Sequence, residues 1–175
     1  MRRFLGRATR LVAVAVAAGT LLLTAHPAAA ATSTSTEGEA LVPGATPFQA
    51  TATVQSGSIW SGGKQMLVKV DSGQTQGMIS NTISLPSPSA AAYHVTALLT
   101  TGPNYGVVEL KFGGHGGNYF DAYSPTTAVK TVEFTDVVVF PGSNSTTVLS
   151  VLVASKNAAS SGYNAGLDKI TMTLQ

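Results

Sequence analysis

Along residues 91–100, AAYHVTALLT, apolar and polar side chains take turns: Tyr93, Val95, Ala97 and Leu99 fall on one side of an extended chain, His94, Thr96 and Thr100 on the other. The same alternation sets Val108, Leu110 and Phe112 against Glu109 and Lys111. In the run Val137 to Phe140, and from Val148 to Val153, both sides are apolar, the pattern of a central strand covered on two faces. Short runs rich in Val, Ile, Thr, Leu and Phe, separated by Gly, Ser, Pro and Asn clusters, predict strands near 47–55, 64–70, 77–85, 91–100, 104–112, 130–140, 146–154 and 166–174. A further short strand is expected around 58–60. No segment carries a helical period, so the chain reads as an all-β sandwich or barrel.

The N-terminal residues change the picture of charge and destination. MRRFLGRATR is followed by the apolar LVAVAVAAGTLLLTA and by small residues up to Ala30 or Ala31, the layout of a secretory signal peptide over 1–30. The apolar run is short for a membrane span, so export without membrane insertion is expected, and the protein should be secreted and extracellular. All four arginines lie in that segment, which leaves six lysines against eight acids in the remainder. Without arginine or a lysine cluster there is no positive footprint for nucleic acid or anionic lipid. The absence of cysteine removes disulfides and thiolate metal sites, so stability must come from a core. The polar ATSTST stretch, 31–36, reads as a disordered lead-in, and 37–175 as a single domain, expected to be a monomer.

One acid breaks the pattern of the last strand. Counting by twos, Leu174, Met172, Ile170 and Asp168 share a face while Thr173, Thr171 and Lys169 share the other, which points Asp168 inward. A buried carboxylate needs donors, a cation or a metal ion. Glu37 and Glu39, in TEGEAL, project from one face of an extended chain, and with Asp168 they would make the hard-oxygen donor set that calcium prefers. The competing reading leaves both glutamates solvated and has Asp168 cap a turn.

The order EGEALVP, SIWSGGKQM, YHVTALLTTGPNYGVVELKFGG, FDAYSP and KNAASSGYNAGLDKI resembles a secreted module found in actinobacterial and planctomycete extracellular proteins. Those modules are galactose-binding-like jelly rolls, similar to carbohydrate-binding modules of families six and thirty-five. The resemblance runs over most of Glu37 to Leu174 and implies a jelly-roll β-sandwich of about 8–9 antiparallel strands in two sheets. It also implies that Glu37, Glu39 and Asp168 flank a structural calcium site, the two chain ends meeting there. Family members are usually appended to larger secreted proteins such as glycoside hydrolases, a pattern from which this lone domain departs.

Sugar recognition needs an aromatic face for the pyranose and fixed polar groups for its hydroxyls. Trp60, in the turn GSIWSGGK, and the turn-side tyrosines 105, 119, 123 and 163 supply the first, and Asn104, Asn118, Asp121, Asn157 and Asn164 the second. Trp60 could equally plug the sandwich end, and Tyr105 could be core. In similar modules the loops joining the two sheets at one end carry the ligand; Asn157 and Tyr163 match the late loop, and Asp121 and Tyr123 are weaker candidates because FDAYSP could simply shape a crossover. The candidate ligand contacts are thus Trp60, Tyr105, Asn157, Tyr163, Asp121 and Tyr123. The GGHGG stretch around His115 reads as a loop, and His94 as a solvated side chain.

No G-x-S-x-G elbow, H-E-x-x-H helix, P-loop or G-x-G-x-x-G turn occurs, so catalysis is not expected. The function expected is non-catalytic binding of an oligo- or polysaccharide. The alternative is a structural or adhesive sandwich that binds a protein or the cell surface.

Overall fold

A computed structural model describes residues 32–142 and 144–175. The expected signal peptide, 1–30, lies outside the described residues. Eleven strands follow one another: β1 (Ser33–Glu37), β2 (Thr46–Phe48), β3 (Ala50–Ser56), β4 (Lys64–Val70), β5 (Gly77–Ser84), β6 (Ala91–Thr101), β7 (Val107–Phe112), β8 (His115–Asp121), β9 (Ala128–Val139), β10 (Thr146–Ser155) and β11 (Asn164–Leu174). They form two antiparallel sheets. One runs β3-β4-β11-β6-β9, with β1 also on β11; the other runs β2-β5-β10-β7-β8. This is a jelly-roll sandwich, as the sequence resemblance implied, with more strands than the 8–9 expected.

The inner faces carry the alternation seen in sequence. Tyr93, Val95, Ala97 and Leu99 of β6 are no more than 1% exposed and meet Ile79, Leu110, Leu149 and Val151 of the opposite sheet in one continuous core. Each of the valines, leucines and isoleucine among them contributes roughly 1.5–3 kcal/mol by leaving water. The core needs no covalent reinforcement.

Four local expectations are corrected. The stretch taken as a disordered lead-in is strand β1 from Ser33 onward, paired with β11 from Ser33↔Thr173 to Glu37↔Lys169. Its alternating Ser and Thr look like a spacer, yet threonine suits a pleated edge, and Ser35 Oγ and Thr171 Oγ1 share a 2.8 Å hydrogen bond. The glycine-rich segment around His115 is strand β8, because backbone pairing with β7 requires no side chain. Residues 58–60 are a turn leading into a 3-10 turn at Ser61–Gly63.

The fourth correction concerns Asp168. The register of β11 against β6 slips between Leu167 and Lys169, so Asp168 is the additional residue of a bulge and strict alternation ends there. Leu167 and Ile170 both face the core as a result. The bulge falls where β11 changes partner on one edge, from β4 (Asn164 to Leu167) to β1 (Lys169 to Thr173). The chain leaving β1 packs tightly there: a Cβ on Gly38 would collide with the Leu167 carbonyl oxygen.

Candidate ligand cleft and acidic cluster

A cleft of about 690 Å³ opens on the outer face of the β3-β4-β11 sheet and is walled by loops. Gln55, Leu67 and Lys69 come from the strands; Trp60 and Tyr105 form the packed wall; Asn104, Thr127, Ser161 and Asn164 stand around them. Registers Asn164↔Lys69 and Gly166↔Leu67, with Gly166↔Thr100 on β6, place these positions side by side.

Beneath the cleft lies a buried polar relay that sequence reading missed. The Trp60 indole Nε1–H donates to Thr100 Oγ1 at 2.9 Å, and the Thr100 hydroxyl donates to Gln65 Oε1 at 2.5 Å. Gln65 Nε2 then donates to Gln55 Oε1 at 2.8 Å and to the Tyr105 hydroxyl oxygen at 3.3 Å. Gln65 and Thr100 are fully buried. Gly166 makes this possible, since a Cβ there would sit 2.8 Å from Thr100 Cβ and closer still to Gln65 Oε1. A sequence signal existed in Gly166, a glycine within a strand that marks close approach of its neighbours, here Gln65 on β4 and Thr100 on β6. Only their juxtaposition gives it meaning.

Of the six expected ligand contacts, the structure brings Trp60 and Tyr105 together in this cleft. Both are packed, at 8% and 4% exposure, so the open stacking face expected of them is replaced by a rigid wall. Burial pushes the Tyr105 phenol above its ordinary pKa, and the Gln65 hydrogen bond pulls it partly back.

The other four lie outside the cleft and hold loops. Asp121 Oδ2 accepts from Asn157 Nδ2 at 2.7 Å, Asp121 Oδ1 accepts from the Tyr123 N–H at 3.0 Å, and Asn157 Oδ1 accepts from the Ala159 N–H at 3.0 Å. Tyr163 packs on the core with the Lys156 ammonium 5.0 Å from its ring centre. Their polar atoms shape the segment that presents Ser161 and Asn164 to the cleft. His115 lines a second cavity between β8 and β9, and His94 Nε2 lies 4.0 Å from Glu133.

The three acids expected to meet do approach one another beside the bulge. Asp168 is 1% exposed, and its Oδ1 accepts the Ser61 N–H at 2.8 Å. Ser61 Oγ donates to Glu37 Oε1 at 3.3 Å, and Lys169 Nζ holds the same oxygen at 2.8 Å. Glu37 Oε2 and Glu39 Oε2 are buried without a hydrogen-bond partner. Burial raises the Asp168 pKa, and the charges of Glu37 and Glu39 push the same way, while the Ser61 N–H and the Lys169 ammonium oppose them. Lys169 is in turn held protonated by its hydrogen bond to Glu37. Among the described residues, no three His, Asp or Glu side chains close into a ready set of metal ligands, Glu37 being engaged by Lys169.

No protein-family description matches the chain, and no curated protein does. Solved structures do match. A xanthan lyase from Paenibacillus aligns with 79% of this chain at a TM-score of 0.62 and 24% identity, over 13% of its own length. An exo-β-1,3-galactanase from Phanerochaete chrysosporium, crystallised with β-1,3-galactotriose, aligns with 82% at 0.50 and 19% identity, over 30% of its length. A GH26-CBM35 β-(1,4)-mannanase from Podospora anserina aligns with 82% at 0.50 and 16% identity, over 28% of its length. The chain thus spans under a third of each of these proteins. At such identities the likeness is one of fold alone, an antiparallel jelly-roll β-sandwich.

Proposed function

We propose that this is a secreted, non-catalytic carbohydrate-binding protein whose glycan site is the Trp60–Tyr105 cleft. The observation that carries the reading is the cleft itself: two locked aromatic walls, with the amides of Gln55, Asn104 and Asn164 and the hydroxyls of Thr127 and Ser161 around them. Such a mixture of rigid apolar surface and two-way hydrogen-bonding groups matches the surface of a pyranose. No carboxylate is among its lining residues, whereas glycosidases need a pair across the scissile bond. The solved structures of like fold belong to polysaccharide-active proteins of which this fold is a part.

A structural calcium ion at Glu37, Glu39 and Asp168 belongs to the same proposal. Two buried, unpartnered carboxylate oxygens beside a third, buried carboxylate form a donor set of the right hardness, and a bound divalent cation would neutralise their mutual repulsion. Glu37 would exchange Lys169 for the ion.

The adhesive alternative rests on a different surface. The registers of the second sheet align Phe48, Met78, Leu152, Glu109 and Tyr119 in one row, and Phe48 and Tyr119 at its ends are 54% and 64% exposed. Retention on a panel of immobilised polysaccharides separates the two. Binding that Asn164→Ala weakens tenfold or more supports the cleft; retention on no glycan supports the alternative.

A further inference from the structure

Each sheet ends in a strand with a neighbour on one side only. Among the described residues β9 pairs with β6 alone and β8 with β7 alone, and both line one cavity of about 390 Å³. In such a strand every second backbone N–H and C=O points away from the sheet, a template for a further strand. From β8 the cavity is lined by His115, Gly116 and Gly117, so for two residues no side chain guards the backbone. Neither glycine can be replaced without a collision: a Cβ would strike Glu109 Oε1 at Gly116 and the Leu110 carbonyl oxygen at Gly117. The buried rings of Phe112 and Phe134 complete an apolar lining.

β9 is interrupted where it borders this cavity. Its register against β6 runs from Phe134↔Val95 to Val137↔Tyr93, so Thr135 and Asp136 stand opposite His94 alone, and Asp136 takes a φ of 56°. The bulge sets Asp136 among the lining residues with Glu133. Both carboxylates are exposed; Glu133 has only the His94 imidazole at 4.0 Å, and Asp136 makes no ion pair among the described residues. No lysine is among the lining residues. Just beyond, Val138 and Phe140 are 51% and 65% exposed, the Phe140 ring tilted against His115 at 6.5 Å between centres. A free backbone edge, an exposed apolar pair and two uncompensated negative charges therefore adjoin.

That combination fits an extended chain that brings a cation. A second copy of this domain does not fit: joined edge to edge about a twofold axis, it would bring its own Glu133 and Asp136 toward these, and the bulge breaks the flat ladder such a pair needs. We propose that the trough between β8 and β9 docks an extended peptide segment of another protein, which adds to the β9 edge, places a lysine or arginine at Glu133 and Asp136, and lays apolar side chains on Val138 and Phe140. Main-chain hydrogen bonds supply affinity in this mode and the side-chain sites supply selectivity. The trough shares no lining residue with the Trp60–Tyr105 cleft, so the two assignments stand or fall separately.

The test is selection of random ten-residue peptides from a display library on the immobilised protein, with the Glu133→Gln/Asp136→Asn double variant as counter-target. Asparagine also adopts positive φ, so the bulge survives the change, and an unaltered Trp60 emission checks that the variant is folded. Enriched peptides should carry Lys or Arg among β-branched or aromatic residues. Labelled and followed by fluorescence anisotropy, they should bind the parent about tenfold more tightly than the double variant at low salt, and less selectively as ionic strength rises. N-methylation of alternate peptide amides should abolish binding in one of the two registers. Enrichment of no peptide over the counter-target, enrichment without basic residues, or binding indifferent to N-methylation in both registers would overturn the proposal. A saccharide that shifts the backbone amides of His115, Gly117 and Val137 would also overturn it, giving the trough to a sugar instead.

Discussion

Replacing Gln65 by leucine keeps the volume of the side chain and deletes the centre of the relay. Three bonds vanish: the one accepted from Thr100 (2.5 Å) and those given to Gln55 (2.8 Å) and Tyr105 (3.3 Å). Gln55 is half-exposed and can turn to water, but the Thr100 hydroxyl and the Tyr105 oxygen remain buried. Each stranded group costs about 1–3 kcal/mol, so a net loss of about 3 kcal/mol is expected after the leucine regains some apolar burial. For a domain of this size that lowers Tm by about 6–12 °C. The assay has a local reporter, because Trp60 is the sole tryptophan and its indole begins the relay. Urea unfolding followed by tryptophan emission should show the lower midpoint together with a shifted native spectrum. A Gln65→Leu protein that melts within a degree of the parent and keeps its emission maximum would refute the reasoning.

Two further outcomes concern the acidic cluster. In calcium-free protein the native state raises the Asp168 pKa above 3.8, so it holds a proton to higher pH than the unfolded chain does, and stability must fall as pH rises from the ordinary carboxylate range through that raised value. The difference in urea midpoint between parent and Asp168→Asn should therefore change across that window; a difference that stays constant from pH 4 to 7 would contradict the assignment. Calcium added to chelator-stripped protein should raise Tm in step with saturation, an effect absent from Asp168→Asn, and a parent indifferent to calcium and chelator would remove the metal from the account.

What could be read in the sequence was whatever depends on side-chain alternation. Tyr93, Val95, Ala97 and Leu99 announced their buried face because a strand with one dry side has no other way to be written. Features made by backbone pairing left little trace: β8 passes for a glycine loop, and β1 for a polar spacer, since edge strands gain their place from ladder bonds. The bulge at Asp168 inserts one residue without any marker in composition, although the buried acid itself was a clue that something there was irregular. The cleft was half legible. Trp60 and Tyr105 stood out as turn-side aromatics, but Gln55, Gln65, Lys69, Thr100 and Asn164 come from four strands and acquire a shared role only when those strands are laid side by side. Asp121 and Asn157 carry the residue types of a sugar site, and the structure shows them bonded to each other and to loop backbone N–H groups, away from the cleft.

The most direct test of the central claim is backbone and indole amide NMR during titration with a saccharide retained on the glycan panel. Shifts concentrated at the Trp60 indole, Gln55, Lys69, Asn104 and Asn164 are the predicted result. Shifts centred on Phe48 and Tyr119 of the opposite sheet, or on Tyr123, Asn157 and Tyr163 with the cleft unmoved, would contradict it.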